Sequence, residues 1–351
     1  MPDHTYVKLP GLADVHVHLR APGGEHKEDV RSGTTAALAG GFTTVLAMPN
    51  THPPLVTLSD YRAAERRAEA EALCDVHHFA GASADHVEEL PALGREAVGL
   101  KVYLDQTYGP LRITDLTTLL ACFCAWPEEK VIAFHAEGPG VAIAIGLAAA
   151  FDRPIHLCHI SRRSEMLLIA EAKRRGLPVT CEVTPHHLFL TEQDLPRLGA
   201  FGMMKPSLAT PADVEALWSH IDTTIDCVAT DHAPHTIAEK RSSEAPPGVP
   251  GLETALPLML TAVAEGRLSL ERLVELMATN PRRIFRLPKQ PDTWIEVDLD
   301  ADDVISQQGL HSKCGWSPFS GVRVRGRVHR VRFRGRAVFQ EGEILNSPLI
   351  V

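Results

Sequence analysis

The chain has 351 residues, 44% of them hydrophobic and 23% charged, which is ordinary for a soluble globular protein long enough to bury one large core. Lys and Arg number 35 against 44 Asp and Glu, a formal charge of −9, which argues against a general nucleic-acid binder. No apolar run reaches the roughly 18 residues of a membrane-spanning helix, and Met1-Pro2-Asp3-His4 leads into no signal-peptide pattern, so no membrane association is expected. The apolar run Leu9–Val15 ends in His16-Val17-His18, and a strand over Leu12–His18 puts both imidazoles on one face. Two neutral imidazoles at a strand end can hold one metal ion, and Arg20 just beyond can grip an anion beside it. His-X-His recurs by chance, so the rest of the chain must decide.

Strand-like and helix-like segments then alternate. Helical spacing over Lys27–Ala39 precedes a strand over Thr43–Met48, and helical spacing over Ser59–Leu73 precedes one over Asp75–Ala80. Further strands are read over Ala97–Leu104, Val131–His135 and Pro154–His159. Arg162–Arg175 has the plainest helical pattern, with Gly176 at its end. A strand over Pro178–Val183, a helix over Pro211–Ser219 and a strand over Ile225–Asp231 complete the series. About eight strands alternating with helices is the pattern of an α/β fold, a closed (β/α)8 TIM-type barrel. A doubly wound open sheet fits the alternation nearly as well, but no glycine-rich dinucleotide fingerprint follows the first strand.

Ser242–Gly251 is the most loop-like stretch, and the tail beyond it differs in kind. Gly321 to Ala337 alternates apolar and basic residues with glycine punctuation, which reads as two short strands with arginine outward. A nucleic-acid patch is the alternative for these arginines; strict alternation favours a solvated strand face. The expected organisation is therefore a barrel over residues 11–310 with a small β subdomain from residues 1–10 and 311–351.

A barrel places chemistry at the carboxyl ends of its strands. His16 and His18, Asn50, Lys101, His135, Cys158-His159, Glu182 and Asp231 all fall at or near such ends. Any one of them has an ordinary explanation as a hydrogen-bonded core polar group; together they point to one converging site. Four imidazoles, a carboxylate and a lysine suit two divalent ions of the zinc type. Lys101 cannot remain an ordinary ammonium among divalent cations, and a neutralised lysine can react with carbon dioxide to give a metal-bridging carbamate. The plain reading of Lys101 is a stem packed on the barrel with its head reaching solvent. His232 is turned away from Asp231 by strand alternation and is read as structural.

Seven ordered segments carry a resemblance: Asp14-Val-His-Val-His-Leu-Arg20, Ala47-Met-Pro-Asn50, Gly99-Leu-Lys-Val-Tyr-Leu104, Phe134-His-Ala-Glu137, Leu157-Cys-His-Ile160, Cys181-Glu-Val-Thr-Pro-His-His187 and Ala229-Thr-Asp-His-Ala-Pro-His235. Together they resemble the dihydroorotases of the amidohydrolase superfamily, most closely the dihydroorotase domain of animal multienzyme pyrimidine proteins. The likeness extends to Pro246–Glu253 and Asn280–Phe285. It implies reversible cyclisation of N-carbamoyl-L-aspartate to L-dihydroorotate. His16, His18 and Asp231 would bind one zinc, His135 and His159 a second, and Lys101, as N6-carboxylysine, would bridge them. Asp231 would also move the proton. Arg20, Asn50 and His235 would hold the substrate, with Thr107 and Tyr108 reaching over it from a loop; Tyr108 stands where Phe is expected. Cys158 and Glu182 match positions linked to an additional zinc, although Cys158 reads equally as a packed thiol and Glu182 as an outer acceptor. Lys205 stands where an arginine is expected, keeping the charge but losing the planar fork.

The resemblance also implies a homodimer, with aspartate transcarbamoylase as a candidate partner. Two rival readings are another cyclic-amide hydrolase of the allantoinase or hydantoinase type, and an inactive homologue acting as a scaffold. The second should have lost ligands, and all are present here. Seven cysteines, odd in number and without zinc-finger spacing, fit free thiols in a reducing cytoplasm.

Overall fold

In the computed structural model, residues 4–107 and 109–345 are described. The strand-like runs form short parallel strands, most of them buried: β2 (Leu12–Val17), β3 (Phe42–Ala47), β4 (Asp75–His78), β5 (Ala80–Gly81), β6 (Leu100–Tyr103), β7 (Ile132–His135), β8 (Ile155–Leu157), β9 (Val179–Val183) and β10 (Cys227–Val228), after an outlying β1 (Tyr6–Pro10). β2, β3, β6, β7 and β8 are buried along their whole length, as strands covered by helices on the outside must be.

Two parallel ladders, β2-β3-β4 and β5 through β10 in sequence order, are joined at both ends. Only Phe79 separates β4 from β5; its N–H donates to Ala47 and that of Ala80 donates to Gly99, so one staggered strand serves both ladders. At the other end Val17 bridges in parallel to His232, and the His18 N–H donates to the His232 carbonyl at 2.8 Å. The ring closes as an eight-membered barrel: β2, β3, β4 with β5, β6, β7, β8, β9 and β10. The open-sheet alternative is excluded by this closure.

Helices cover the barrel, and their ends follow capping chemistry. The first spans Val30–Ala39 rather than starting at Lys27, because Asp29 is extended (φ −134°) and its carboxylate accepts from the Ser32 N–H. Leu58–Glu71, Arg163–Arg174 and Pro211–Ser219 fall within a residue or two of expectation. Leu116–Ala125, Pro139–Phe151 and Leu252–Ala264 are further helices built almost wholly of apolar residues. No helix among the described residues is long and apolar enough to cross a membrane.

The small β layer is antiparallel, in the order β1, β11 (Trp294–Val304), β12 (Arg323–Phe333), β13 (Arg336–Gln340) and β14 (Glu343–Ile344). It begins earlier in the chain than the expected boundary near residue 310, because β11 pairs with both β1 and β12. β11 also explains the basic tail. Val324, Val328, Val331 and Phe333 turn inward, while Arg323 pairs with Asp302 at 2.6 Å and Arg327 reaches Asp303 at 3.5 Å. The outward arginines thus face an acidic neighbouring strand. Gly326 (φ +78°) is required where the sheet meets the barrel, since a Cβ there would lie 2.7 Å from Leu260. His311–Phe319 joins no strand and lies against the barrel instead, with the Trp316 indole donating to the His235 carbonyl at 2.7 Å.

Candidate active site

At the carboxyl end of the barrel, His16 and His18 leave β2 with ring centroids 5.5 Å apart and both reach Asp231 Oδ1, at 3.3 and 3.1 Å. Asp231 follows β10 in a left-handed conformation (φ +44°), as do His159 (φ +37°) after β8 and Arg20 (φ +59°) after β2. Such backbone costs about 1 to 3 kcal/mol per residue and concentrates at functional sites. His18 Nδ1 donates to Asn50 Oδ1 at 2.8 Å, which leaves its Nε2 lone pair facing the Asp231 carboxylate. Burial pushes His18 down to about 4, so no proton of its own fills that gap.

His16 sits between two carboxylates. Its Nδ1 is 2.5 Å from Glu182 Oε1 and its Nε2 faces Asp231. Burial and the Lys101 ammonium oppose a charge on this ring, but Asp231 and Glu182 outweigh them and raise it to about 10. The two carboxylates favour a positive charge at Nε2, whether proton or metal. Burial would raise the Asp231 carboxyl, yet the His16 charge beside it keeps it well below its ordinary range.

His135, ending β7, and His159 meet through Nδ1 and Nε2 at 2.9 Å. Their other nitrogens, His135 Nε2 and His159 Nδ1, are buried with no hydrogen-bond partner among the described residues. Burial lowers both rings below the ordinary imidazole range, leaving lone pairs available to a cation. His16, His18 and Asp231 offer ligand atoms within 4.8 Å of one another, and so do His16, Cys158 and Glu182. The donor set therefore fits zinc-type cations. Glu182 is already engaged, accepting from His16, from His156 Nε2 at 3.0 Å and from the His159 N–H at 3.2 Å.

Lys101 on β6 is fully buried, which removes the reading of a head reaching solvent. Its ammonium lies 2.8 Å from Cys158 Sγ and, among the described residues, forms no ion pair with a carboxylate. A buried unpaired ammonium is expensive, and this one lies one strand from His135.

Beside the imidazoles is a second cluster of charged groups, in which Glu239 pairs with Lys27 at 3.0 Å. Arg20 donates to the Pro234 carbonyl at 3.1 Å and contacts His235 Nε2 at 3.1 Å, while Lys27 Nζ lies 3.2 Å from His235 Nδ1. Burial, with the charges of Arg20, Lys27 and Lys240, drives His235 down to about 2, so it is neutral. Lys240 is buried and donates to the carbonyls of Met203, Pro246 and Gly248, fixing the loop whose Pro247 carbonyl touches His235. The adjoining segment carries Lys205, which is exposed and acts electrostatically on Glu137, itself 3.6 Å from His135 Nε2. His187 Nε2 meets the Pro206 carbonyl at 3.0 Å and supports the same turn.

The loop after β6 is anchored by Asp105, which accepts from the Glu137 N–H at 2.7 Å. A Cβ on Gly109 would lie 3.7 Å from Asn50 Cβ, so the loop passes over Asn50. Thr107 is half-buried within it, and Tyr108 lies outside the described residues. His232 faces away, with Nδ1 accepting from the Gly251 N–H and Nε2 3.4 Å from Glu28. Sequence reasoning missed His156, whose alternation with Cys158 was a usable signal, and Lys27, which only the fold brings to the mouth.

Barrel and donor set define the class: a parallel (β/α)8 protein with side chains that could hold a metal gathered at its carboxyl-terminal mouth. A family model described as dihydro-orotase-like matches residues 5–100. The dihydroorotase of Halobacterium salinarum is 37% identical over 354 aligned residues, covering 90% of this chain and 82% of that protein. The chain belongs to the dihydroorotase family. It is also 48% identical to the multifunctional protein CAD of Squalus acanthias over 99% of its own length, although it spans only 16% of that relative. Among solved structures, the L-hydantoinase (dihydropyrimidinase) of Arthrobacter aurescens superimposes with a TM-score of 0.92 at 26% identity, covering 96% of this chain and 86% of that one. The inactive dihydroorotase-like domain of the Chaetomium thermophilum CAD-like multifunctional protein gives 0.85 at 29% identity, covering 98% of each.

Proposed function

We propose that this chain is a zinc-dependent dihydroorotase, interconverting N-carbamoyl-L-aspartate and L-dihydroorotate in pyrimidine biosynthesis. The observation that carries the reading is one mouth holding both a cation-shaped donor set and, beside it, the Arg20 guanidinium against a neutral His235, with Lys27 held at the same ring by Glu239. The first suits amide hydrolysis and the second a substrate carboxylate. His16, His18 and Asp231 would hold one zinc, His135 and His159 a second, and Lys101 as a carbamate would join them. Cys158 and Glu182 with His16 would serve a third. Bound cations would lower the pKa of water and polarise the amide carbonyl.

The side chains supply the remaining steps. Arg20, His235, Asn50 and Lys205 would orient the substrate through its carboxylate and ring, with Thr107 and Tyr108 as further contacts. Asp231 accepts the proton of the attacking water and delivers it to the leaving ring nitrogen as the C–N bond breaks. Ring closure runs the same transfers in reverse. Two features favour this over the inactive scaffold suggested by the Chaetomium likeness: His16, His18 and Asp231 bring their ligand atoms together, and Lys101 is buried beside Cys158 of the adjoining group.

We place the protein in the cytoplasm, in keeping with seven unpaired cysteines. It would act as a homodimer and in company with aspartate transcarbamoylase. The exposed apolar side chains Ile143, Leu167 and Leu168, on neighbouring helices, supply a face for a second copy.

Protein purified without chelator should contain at least two zinc equivalents and turn over dihydroorotate in preference to allantoin or hydantoin. Lys101→Ala should abolish turnover. Full metal occupancy without turnover of dihydroorotate in either direction would end this reading; preference for hydantoin would replace the substrate.

A further inference from the structure

Tyr103 is the last residue of β6 and lies on the same strand face as Lys101, one pleat nearer the barrel mouth. Its ring packs with Val56 and Leu111 and lies 5.9 Å from that of His135. The loop returning from the mouth is pinned to it, since the Ile113 N–H donates to the Tyr103 carbonyl at 2.9 Å. All of this packing would be served equally by phenylalanine. The hydroxyl, however, is buried and has no hydrogen-bond partner among the described residues. Leaving such a group unpaired costs about 1 to 3 kcal/mol. Lys101 Nζ lies 5.3 Å from the centre of the ring, so the strand end that carries Lys101 and the His135 ring together flank this phenol at the barrel mouth.

Resting on the dihydroorotase reading, we propose that the Tyr103 hydroxyl donates a hydrogen bond to the ureide carbonyl of the substrate, the carbonyl that is not attacked. The attacked carbonyl must face the ligand cluster of His16, His135, His159 and Asp231, and the carboxylate goes to Arg20. The remaining strong acceptor of a cyclic ureide is its second carbonyl oxygen, and a phenol is a donor matched to it. Such a contact is made equally in the ground and transition states, so it sets affinity and selects ureides over simple cyclic imides. Tyr103 is thus a specificity residue that sequence reading passed over as part of a strand.

The test is Tyr103→Phe in the zinc-loaded full chain, with three measurements. KM for dihydroorotate should rise about tenfold, the loss of roughly one hydrogen bond, while kcat stays within about threefold. Zinc content should not change. The ligand-free thermal midpoint should hold or rise, because the variant removes a buried group that had no partner. A cyclic imide lacking the ureide carbonyl, such as succinimide, should show no change between the two proteins. An unaltered KM overturns the proposal. So does a lowered midpoint with loss of zinc, which would make the hydroxyl structural, and so does a fall in kcat alone. If the wild type ignores dihydroorotate but opens hydantoin with a KM that depends on Tyr103, the dihydroorotase reading fails and the role of the hydroxyl stands, since hydantoin carries the same carbonyl.

Discussion

Asp231 meets two imidazoles through one oxygen, which makes it both a ligand and a proton carrier in the proposed reaction. Asp231→Asn keeps the shape and removes the proton acceptor, and turnover should fall at least about a hundredfold. Zinc must be measured in the same sample, because near-normal turnover with normal zinc contradicts the role. Arg20 tests the other half of the mouth. Arg20→Gln should raise KM for dihydroorotate and N-carbamoyl-aspartate severely with zinc unchanged, because it removes a charge-assisted contact to a carboxylate. Equal losses on an uncharged cyclic imide would show that Arg20 instead supports the ligand cluster. Much of this geometry was legible beforehand. Strand alternation placed His16 with His18 and turned His232 away, and register at strand ends gathered His135, His159 and Asp231. Alternation gave no hint of Lys27, which reaches His235 only because Asp29 stops the helix short and leaves residues 24–28 as a turn. Nor could it reveal that Glu182 holds His16 and His156 together, since both contacts cross strands.

At the scale of elements, the helices that were read correctly have polar outer faces, as in Arg163–Arg174. Pro139–Phe151 contains no charged residue, so it has no period of 3.6 to detect, and it escaped notice for that reason. β11 was missed because its run of acids resembles a solvated loop until β12 supplies the arginines opposite. One carboxylate ties several of these elements together. Glu28 is buried and accepts from the hydroxyls of Ser32 and Ser312 and the backbone N–H of Lys313, with His232 Nε2 close by. Burial alone would raise its pKa, but His232 and the two serines lower it below the ordinary glutamate value of 4.5. Because the folded value is the lower one, this carboxylate contributes stability that is present above about pH 4.5 and is lost as pH falls through the folded value. Glu28→Gln should therefore cost about 2 kcal/mol at pH 7 by urea unfolding, and the gap from wild type should narrow below pH 4. A gap constant from pH 7 to pH 3.5 would show that shape, not charge, is what Glu28 provides.

The whole molecule presents one surface that a monomer leaves unexplained. Ile143 is 49% exposed and Leu167 51%, on the adjacent helices Pro139–Phe151 and Arg163–Arg174. Around Ile143 the first helix exposes Ala142, Gly146, Ala149 and Ala150, side chains small enough for another helix to approach closely. Exposed apolar side chains on neighbouring helices suit an interface, and a patch that serves its own copy must be self-complementary about a twofold axis. The same two helices connect β7, β8 and β9, which carry His135, lead into His159 and carry Glu182, so an interface here would brace half of the ligand cluster. Ile143→Glu combined with Leu167→Glu places charges in that interface without touching the core. Sedimentation at micromolar concentration should show the wild type at twice the chain mass and the variant at the chain mass, with the far-ultraviolet dichroism of both alike. Zinc content should survive while the thermal midpoint drops, since each barrel keeps its ligands but loses its brace. A variant that remains dimeric would move the interface elsewhere, and a monomeric wild type would leave this face for a larger assembly to cover.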